Sequence, residues 1–344
     1  MIFKNLERGK SRRLKLKITV LGDGGWGTAL AALLKNKGFD VSLWGAFKDN
    51  IEALARHGEN KKFLPGIEIP KGIRFTCDVG VACEDADIIV LAIPSRFLKD
   101  VLMKNRGMLK ESNAGFVSVV KGLEGQSLKR MSEVVREALG EKDMAVLSGP
   151  SIAPEVARGV PTTVVVASED ESFARKVRDI FRTERFRVYT NDDVRGVELG
   201  GALKNIIAIA AGISDGLGFG TNTKAAILTR GLLEMTRLGV AMGAKEETFK
   251  GLSGLGDLIT TCVSSEGRNR GFGEAIGKGK RPEEILTASV MEIEGAWTSK
   301  AALDLGKLHK IELPITRQVY SVIFEQKPAL KAVNELMLRE PKSE

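Results

Sequence analysis

Histidine is nearly missing from this chain: only His57 and His309 occur among 344 residues. Two isolated histidines exclude a histidine-clustered metal site, so no metal centre is expected. Cysteine is almost as scarce. Cys77, Cys83 and Cys262 form no C-x-x-C pair, and an odd number cannot all be paired within one chain, which fits a reducing cytoplasm. No run of about 18 apolar residues occurs, so no transmembrane segment is expected. Met1–Lys17 is basic and lacks the apolar centre of a secretory signal. A surplus of acid is missing too, and the net charge is +8. Residues 1–17 hold Lys4, Arg8, Lys10, Arg12, Arg13, Lys15 and Lys17 against Glu7, so six of the eight net charges belong to this end. The rest of the chain is close to neutral. Residues 1–15 therefore read as a basic extension, expected to be disordered, and no nucleic-acid partner is expected.

The remainder has the composition of a globular protein long enough for two domains. Lys17–Leu21 is a short β-branched run that leads straight into Gly22-Asp23-Gly24-Gly25-Trp26-Gly27 and a helical pattern, Thr28–Lys35. A second strand, Phe39–Trp44, follows. Strand, G-x-G-x-x-G, helix and strand within about 30 residues is the dinucleotide-binding arrangement. Gly22 permits the tight turn, Gly24 lets a pyrophosphate approach the backbone, and Gly27 lets helix and strand pack closely. No acid stands at the tip of the second strand, whereas Lys48 lies just beyond it and could meet a 2′-phosphate. NADP is therefore at least as plausible as NAD.

Further strands are expected at Asp87–Pro94, Gly115–Lys121, Ala145–Leu147, Val164–Ala167 and Phe186–Tyr189, with a helix over Glu169–Phe181. Open α/β sheets bind ligands beyond the carboxyl ends of their strands. That edge would hold Phe97, a wall for a nicotinamide or a packing residue, as well as Lys121, Gly149 and Ser151. After residue 190 the β-branched runs stop and helical patterns take over, including Thr223–Leu238 and Lys300–Leu308. The expected architecture is α/β: a Rossmann-type, doubly wound, mostly parallel sheet over 16–190, then an all-α domain over 191–340.

The helical half carries one unusual charge. Between Glu198 and Asp215 the only ionisable residue is Lys204, in a stretch dominated by Leu, Ile and Ala from Leu203 onward. A helix apolar on nearly every side is buried, and burial lowers a lysine pKa toward neutrality. A snorkelling lysine is the plain alternative. Asp257 ends the glycine-rich run Gly251–Gly256, either as a helix N-cap or as a carboxylate balancing Lys204. Gly267-Arg268-Asn269-Arg270 offers an arginine fork for a phosphate, or an exposed loop. Glu294 is a polar contact or a helix-entry acid.

Six of these stretches carry a resemblance. G-x-G-x-W-G-T-A-L, V-K-G-L-E at Val120–Glu124, S-G-P-S at Ser148–Ser151, G-G-A-L-K-N at Gly200–Asn205, G-L-G-D-L at Gly254–Leu258 and G-R-N-R at Gly267–Arg270 occur in this order. The chain resembles NAD(P)-dependent glycerol-3-phosphate dehydrogenases of the bacterial type over roughly residues 16–330. The resemblance implies reduction of dihydroxyacetone phosphate to sn-glycerol 3-phosphate for phospholipid synthesis, in a cytoplasmic homodimer using NAD or NADP. It implies Lys204 as proton donor to the carbonyl oxygen and Lys121 at substrate and nicotinamide. Asp257 and Thr261 would complete the site beside Asn205. Arg268 and Asn269, with Gly267, Gly149 and Ser151, would hold the substrate phosphate. Gly25, Trp26, Ala153, Arg268 and Glu294 match cofactor contacts. Gly25 and Gly267 stand where serine is common in the family. Two rival readings are another two-domain lysine-dependent dehydrogenase, of a 3-hydroxyacid, and a non-catalytic dinucleotide-binding regulator.

Overall fold

The structure is a computed structural model describing residues 15–340; the expected basic extension falls almost wholly outside that range. Ten strands occur among the described residues: β1 Lys17–Leu21, β2 Asp40–Trp44, β3 Glu59–Asn60, β4 Leu64–Glu68, β5 Arg74–Thr76, β6 Ile88–Leu91, β7 Gly115–Ser118, β8 Met144–Ser148, β9 Thr162–Ala167 and β10 Phe186–Asn191. Eight form one sheet in the order β10-β9-β8-β7-β6-β1-β2-β5, and β3 pairs with β4 in a separate ribbon. β6 and β7 are buried along their whole length, as continuous apolar strands covered on both faces must be. The strand order reverses beside β1, which puts the glycine loop at the switch point where such sheets bind ligands.

The sheet is mostly parallel, as expected, with an antiparallel pairing towards one end, where β9 runs against β8. A parallel neighbour requires a long crossover. Here the chain passes only the short helix Ala153–Ala157 before turning back. The Gly149–Ile152 segment and the start of β9 therefore share the ligand-binding edge. The strand expected over Asp87–Pro94 ends at Leu91, and Pro94 serves as the entry residue of the helix Ser95–Lys104.

From Val194 onward no described strand occurs. The helix Val194–Gly216 is the axle of this half and is buried along nearly its whole length. By length and composition it could cross a membrane, yet 94% of its apolar window lies inside the protein. Its neighbours approach backbone to backbone. A Cβ on Gly212 would lie 1.9 Å from the Arg270 carbonyl oxygen, and one on Gly273 would lie 2.1 Å from that of Ile209. These glycines press the helix Arg268–Gly277 against the axle and bring Asn269 to Asn205.

Candidate active site

Lys204 projects from the axle helix with 5% of its surface exposed. Its ammonium donates to the Thr261 hydroxyl and lies 3.0 Å from Asp257 Oδ1. Lys121, three residues past the end of β7, donates to the other carboxylate oxygen, Oδ2, at 2.7 Å. It also donates to the Gly149 carbonyl at 2.9 Å and to Ser151 Oγ at 3.0 Å. One buried carboxylate thus bridges two lysines from different halves of the molecule. Burial, reinforced by the positive charge of Lys121 and opposed by Asp257, lowers the Lys204 pKa to about 8. Snorkelling is excluded, because the ammonium ends in a buried ion pair.

Asp257 is not an N-cap. A π-helical turn, Leu252–Gly256, runs directly into the helix Asp257–Val263, and Gly256 precedes that helix without a side-chain cap. The backbone of Asp257 is already helical, and its side chain, 1% exposed, turns to the lysines. Inserted π turns often re-aim a functional side chain in this way.

An amide chain supports the pair. Asn205 Nδ2 donates to the Lys121 carbonyl at 3.0 Å, and Asn269 Nδ2 donates to Asn205 Oδ1 at 3.0 Å. Asn269 Oδ1 accepts the Gly295 N–H at 3.0 Å, and the second N–H of its amide has no partner among the described residues. Gly267 enters the helix Arg268–Gly277 with no side-chain cap among the described residues, which leaves first-turn backbone N–H groups for an anion. Arg268 is exposed and donates to the Glu292 carbonyl at 3.1 Å. The fork does not form: Arg270 turns away to Asp215, at 2.7 Å, and to Glu274. Of these two arginines, Arg268 remains for an anion.

The glycine loop is shaped as its spacing requires. Gly22 has φ +127°, and a Cβ on it would lie 2.4 Å from the Ala92 carbonyl oxygen. A Cβ on Gly24 would meet none of the described residues within 4 Å, which leaves that face open among them, while one on Gly27 would strike the Gly22 carbonyl. Gly25 has no room for the serine common at this position, because the Phe63 carbonyl oxygen lies 2.5 Å from where a Cβ would be. Ala153 heads its own helix with its methyl group facing Gly25. The Trp26 indole N–H is buried and finds no hydrogen-bond partner among the described residues. An open cradle at a helix N-terminus beside an unspent donor suits a dinucleotide pyrophosphate.

Phe97 is half exposed and lies beneath the Arg96 guanidinium. Glu294 is buried and accepts from Ser95 through both its backbone N–H, at 2.9 Å, and its hydroxyl; burial raises its pKa. Both its carboxylate oxygens are therefore engaged within the protein. Lys48 is exposed and lies 3.7 Å from Glu52 on its own helix. Sequence reasoning missed Ser95 as the partner of Glu294. It also missed Asp23, an acid inside the glycine loop that lies against the end of β2.

Known proteins decide between the readings left open by the sequence. The amino-terminal model of the NAD-dependent glycerol-3-phosphate dehydrogenases matches residues 17–174, and the carboxyl-terminal model matches residues 193–334. The chain belongs to that family. It is therefore an oxidoreductase using NAD(P). A glycerol-3-phosphate dehydrogenase [NAD(P)+] from Prosthecochloris aestuarii is 49% identical over 330 residues, 95% of this chain and 99% of its own. One from Thermoanaerobacter sp. is 49% identical over 96% of this chain and 99% of its own. The crystal structure of the glycerol-3-phosphate dehydrogenase from Coxiella burnetii superposes with a TM-score of 0.91 at 40% identity. It covers 95% of this chain and 100% of its own.

Proposed function

We propose that this protein interconverts dihydroxyacetone phosphate and sn-glycerol 3-phosphate, with Lys204 as the group that gives and takes the proton. The observation that carries this is the buried Lys204–Asp257–Lys121 bridge at the sheet's ligand edge. When bound, the nicotinamide supplies the hydride. As charge grows on the carbonyl oxygen, the Lys204 ammonium stabilises it and then protonates it. In the reverse direction neutral Lys204 takes the hydroxyl proton. Asp257 holds both lysines at the reacting centre, and Thr261 fixes the Lys204 ammonium. Arg268, the remaining Asn269 N–H and the helix N-terminus at Gly267 receive the substrate phosphate. Gly22, Gly24 and Gly27 shape the cradle for the cofactor pyrophosphate.

The test is oxidation of NADH and of NADPH with dihydroxyacetone phosphate, against unphosphorylated dihydroxyacetone. Turnover that requires the phosphate is expected; equal turnover of both substrates would overturn the phosphate site. Arg268→Ala should weaken the phosphorylated substrate by about 2–4 kcal/mol, read as a raised KM. A phospholipid-precursor role, a homodimer and a cytoplasmic setting belong to the same proposal. The three free cysteines, two of them buried, suit a reducing compartment. Light scattering in solution checks the dimer.

A further inference from the structure

Beyond Trp44 the chain continues Gly45-Ala46-Phe47-Lys48, so β2 ends without an acid. In dinucleotide-binding folds an acid about 20 residues beyond the glycine loop receives the ribose 2′-hydroxyl. The structure supplies an acid there from another part of the chain. Asp23, between the first two glycines of the loop, lies with its carboxylate on Gly45. A Cβ on Gly45 would be 2.4 Å from both Asp23 Cγ and Oδ2. The Gly22 N–H donates to the Trp44 carbonyl at 2.9 Å, fastening the loop to the strand end.

The side chain of Asp23 is also held. Asn50 Nδ2 donates to Asp23 Oδ2 at 2.6 Å, and Asn60 Nδ2 donates to the Asp23 carbonyl at 2.8 Å and to Thr28 Oγ1 at 2.8 Å. A buried, fixed carboxylate beside an amide suits a neutral diol, whose hydroxyl can donate to it. The same carboxylate opposes a doubly charged phosphate. Two cations near this tip favour the phosphate instead, yet both are exposed. Lys48 pairs with Glu52, and the Lys62 ammonium lies over the rings of Phe47 and Phe63. Solvent and salt screen such mobile surface charges far more than a buried one.

We propose that Asp23 replaces the missing acid of β2, receiving the adenosine ribose 2′-hydroxyl and repelling a 2′-phosphate, so that the enzyme selects NAD(H) over NADP(H). The assignment rests on placing the dinucleotide over the glycine loop. It narrows the cofactor from NAD(P) to one member of the pair, and it makes a loop residue, not a strand-tip residue, the determinant.

The full-length protein would be titrated calorimetrically with ADP-ribose and with 2′-phospho-ADP-ribose, probes that bind without turnover. The wild type should bind ADP-ribose at least about tenfold more tightly, the size expected of a like-charge penalty. Asp23→Asn keeps the shape and the Asn50 hydrogen bond, so it should shrink that gap by raising affinity for the phosphorylated probe. The NADPH-to-NADH ratio of kcat/KM should rise in parallel. Equal or tighter binding of the phosphorylated probe by the wild type would overturn the assignment, as would an unchanged ratio in Asp23→Asn. Binding of neither probe would overturn the placement of the dinucleotide itself, which sets that failure apart from the first.

Discussion

A lysine that gives a proton in one direction and takes it back in the other works best with a pKa near the working pH. Burial brings Lys204 to about 8, against 10.5 for an ordinary lysine. Reduction needs the charged form, so kcat for ketone reduction should fall as pH rises through about 8. Oxidation needs the neutral form and should rise over the same interval. Asp257→Asn removes the attraction that holds the proton on Lys204, so both limbs should move to lower pH; an unmoved limb would assign the titration to another group. Lys204→Ala should lower kcat at least about 10²-fold with cofactor binding retained, as single-turnover and binding measurements can separate. Lys204 was legible in the sequence because it is the one charge in a long apolar stretch. Asp257 was legible only as an ambiguity, since an acid after glycines also reads as a cap. Asp23 was not legible: an acid inside a glycine turn looks like a turn residue until the fold places it on Gly45.

Among the elements, the helix Pro314–Phe324 begins with a residue that has no backbone N–H, so its first free donors are Ile315 and Thr316. Both donate to Glu234, a buried carboxylate of the helix Thr221–Ala241. Burial, only partly offset by these bonds, raises the Glu234 pKa from 4.5 to about 7. A folded-state value above the unfolded one means a contribution to stability that is complete below pH 4.5 and lost as pH rises through about 7. Glu234→Gln keeps an acceptor and cannot ionise. Relative to wild type, its unfolding free energy should therefore improve between pH 4.5 and 7, by on the order of 3 kcal/mol. Urea titrations at the two ends of that interval check it, and a constant difference would mean that Glu234 stays ionised. Gly273→Ala should destabilise by about 1–3 kcal/mol or more through overpacking. It should also raise the substrate KM, because the same helix carries Asn269. Most strands and long helices were legible from apolar runs. The reversed β9 was not, because a run of valines carries no direction. Nor was the π turn before Asp257, which depends on how the glycines pack.

At the scale of the whole molecule, the helical half fastens to the sheet half through two buried carboxylates received in the same manner. Glu294 is held by the N–H and hydroxyl of Ser95, at the start of one helix. Glu198 is held by the N–H and hydroxyl of Ser132, at 2.8 and 2.6 Å, in the first turn of the helix Met131–Leu139. Helix N-termini favour negative charge, so both dockings are oriented by the backbone as well as by the serines. Glu198 has in addition the Arg130 guanidinium at 2.6 Å, itself buried. Burial pushes the Glu198 pKa up, and Arg130 is the largest influence opposing it. Removing Arg130 alone leaves a buried carboxylate without its countercharge, at a cost of about 3–5 kcal/mol. Arg130→Met with Glu198→Gln removes both charges and keeps most of the volume, so it should cost clearly less than the two single changes added together. A double-mutant cycle by urea unfolding measures that coupling. Additive costs would mean that the halves are held by the serine hydrogen bonds and apolar packing, with the ion pair contributing nothing of its own.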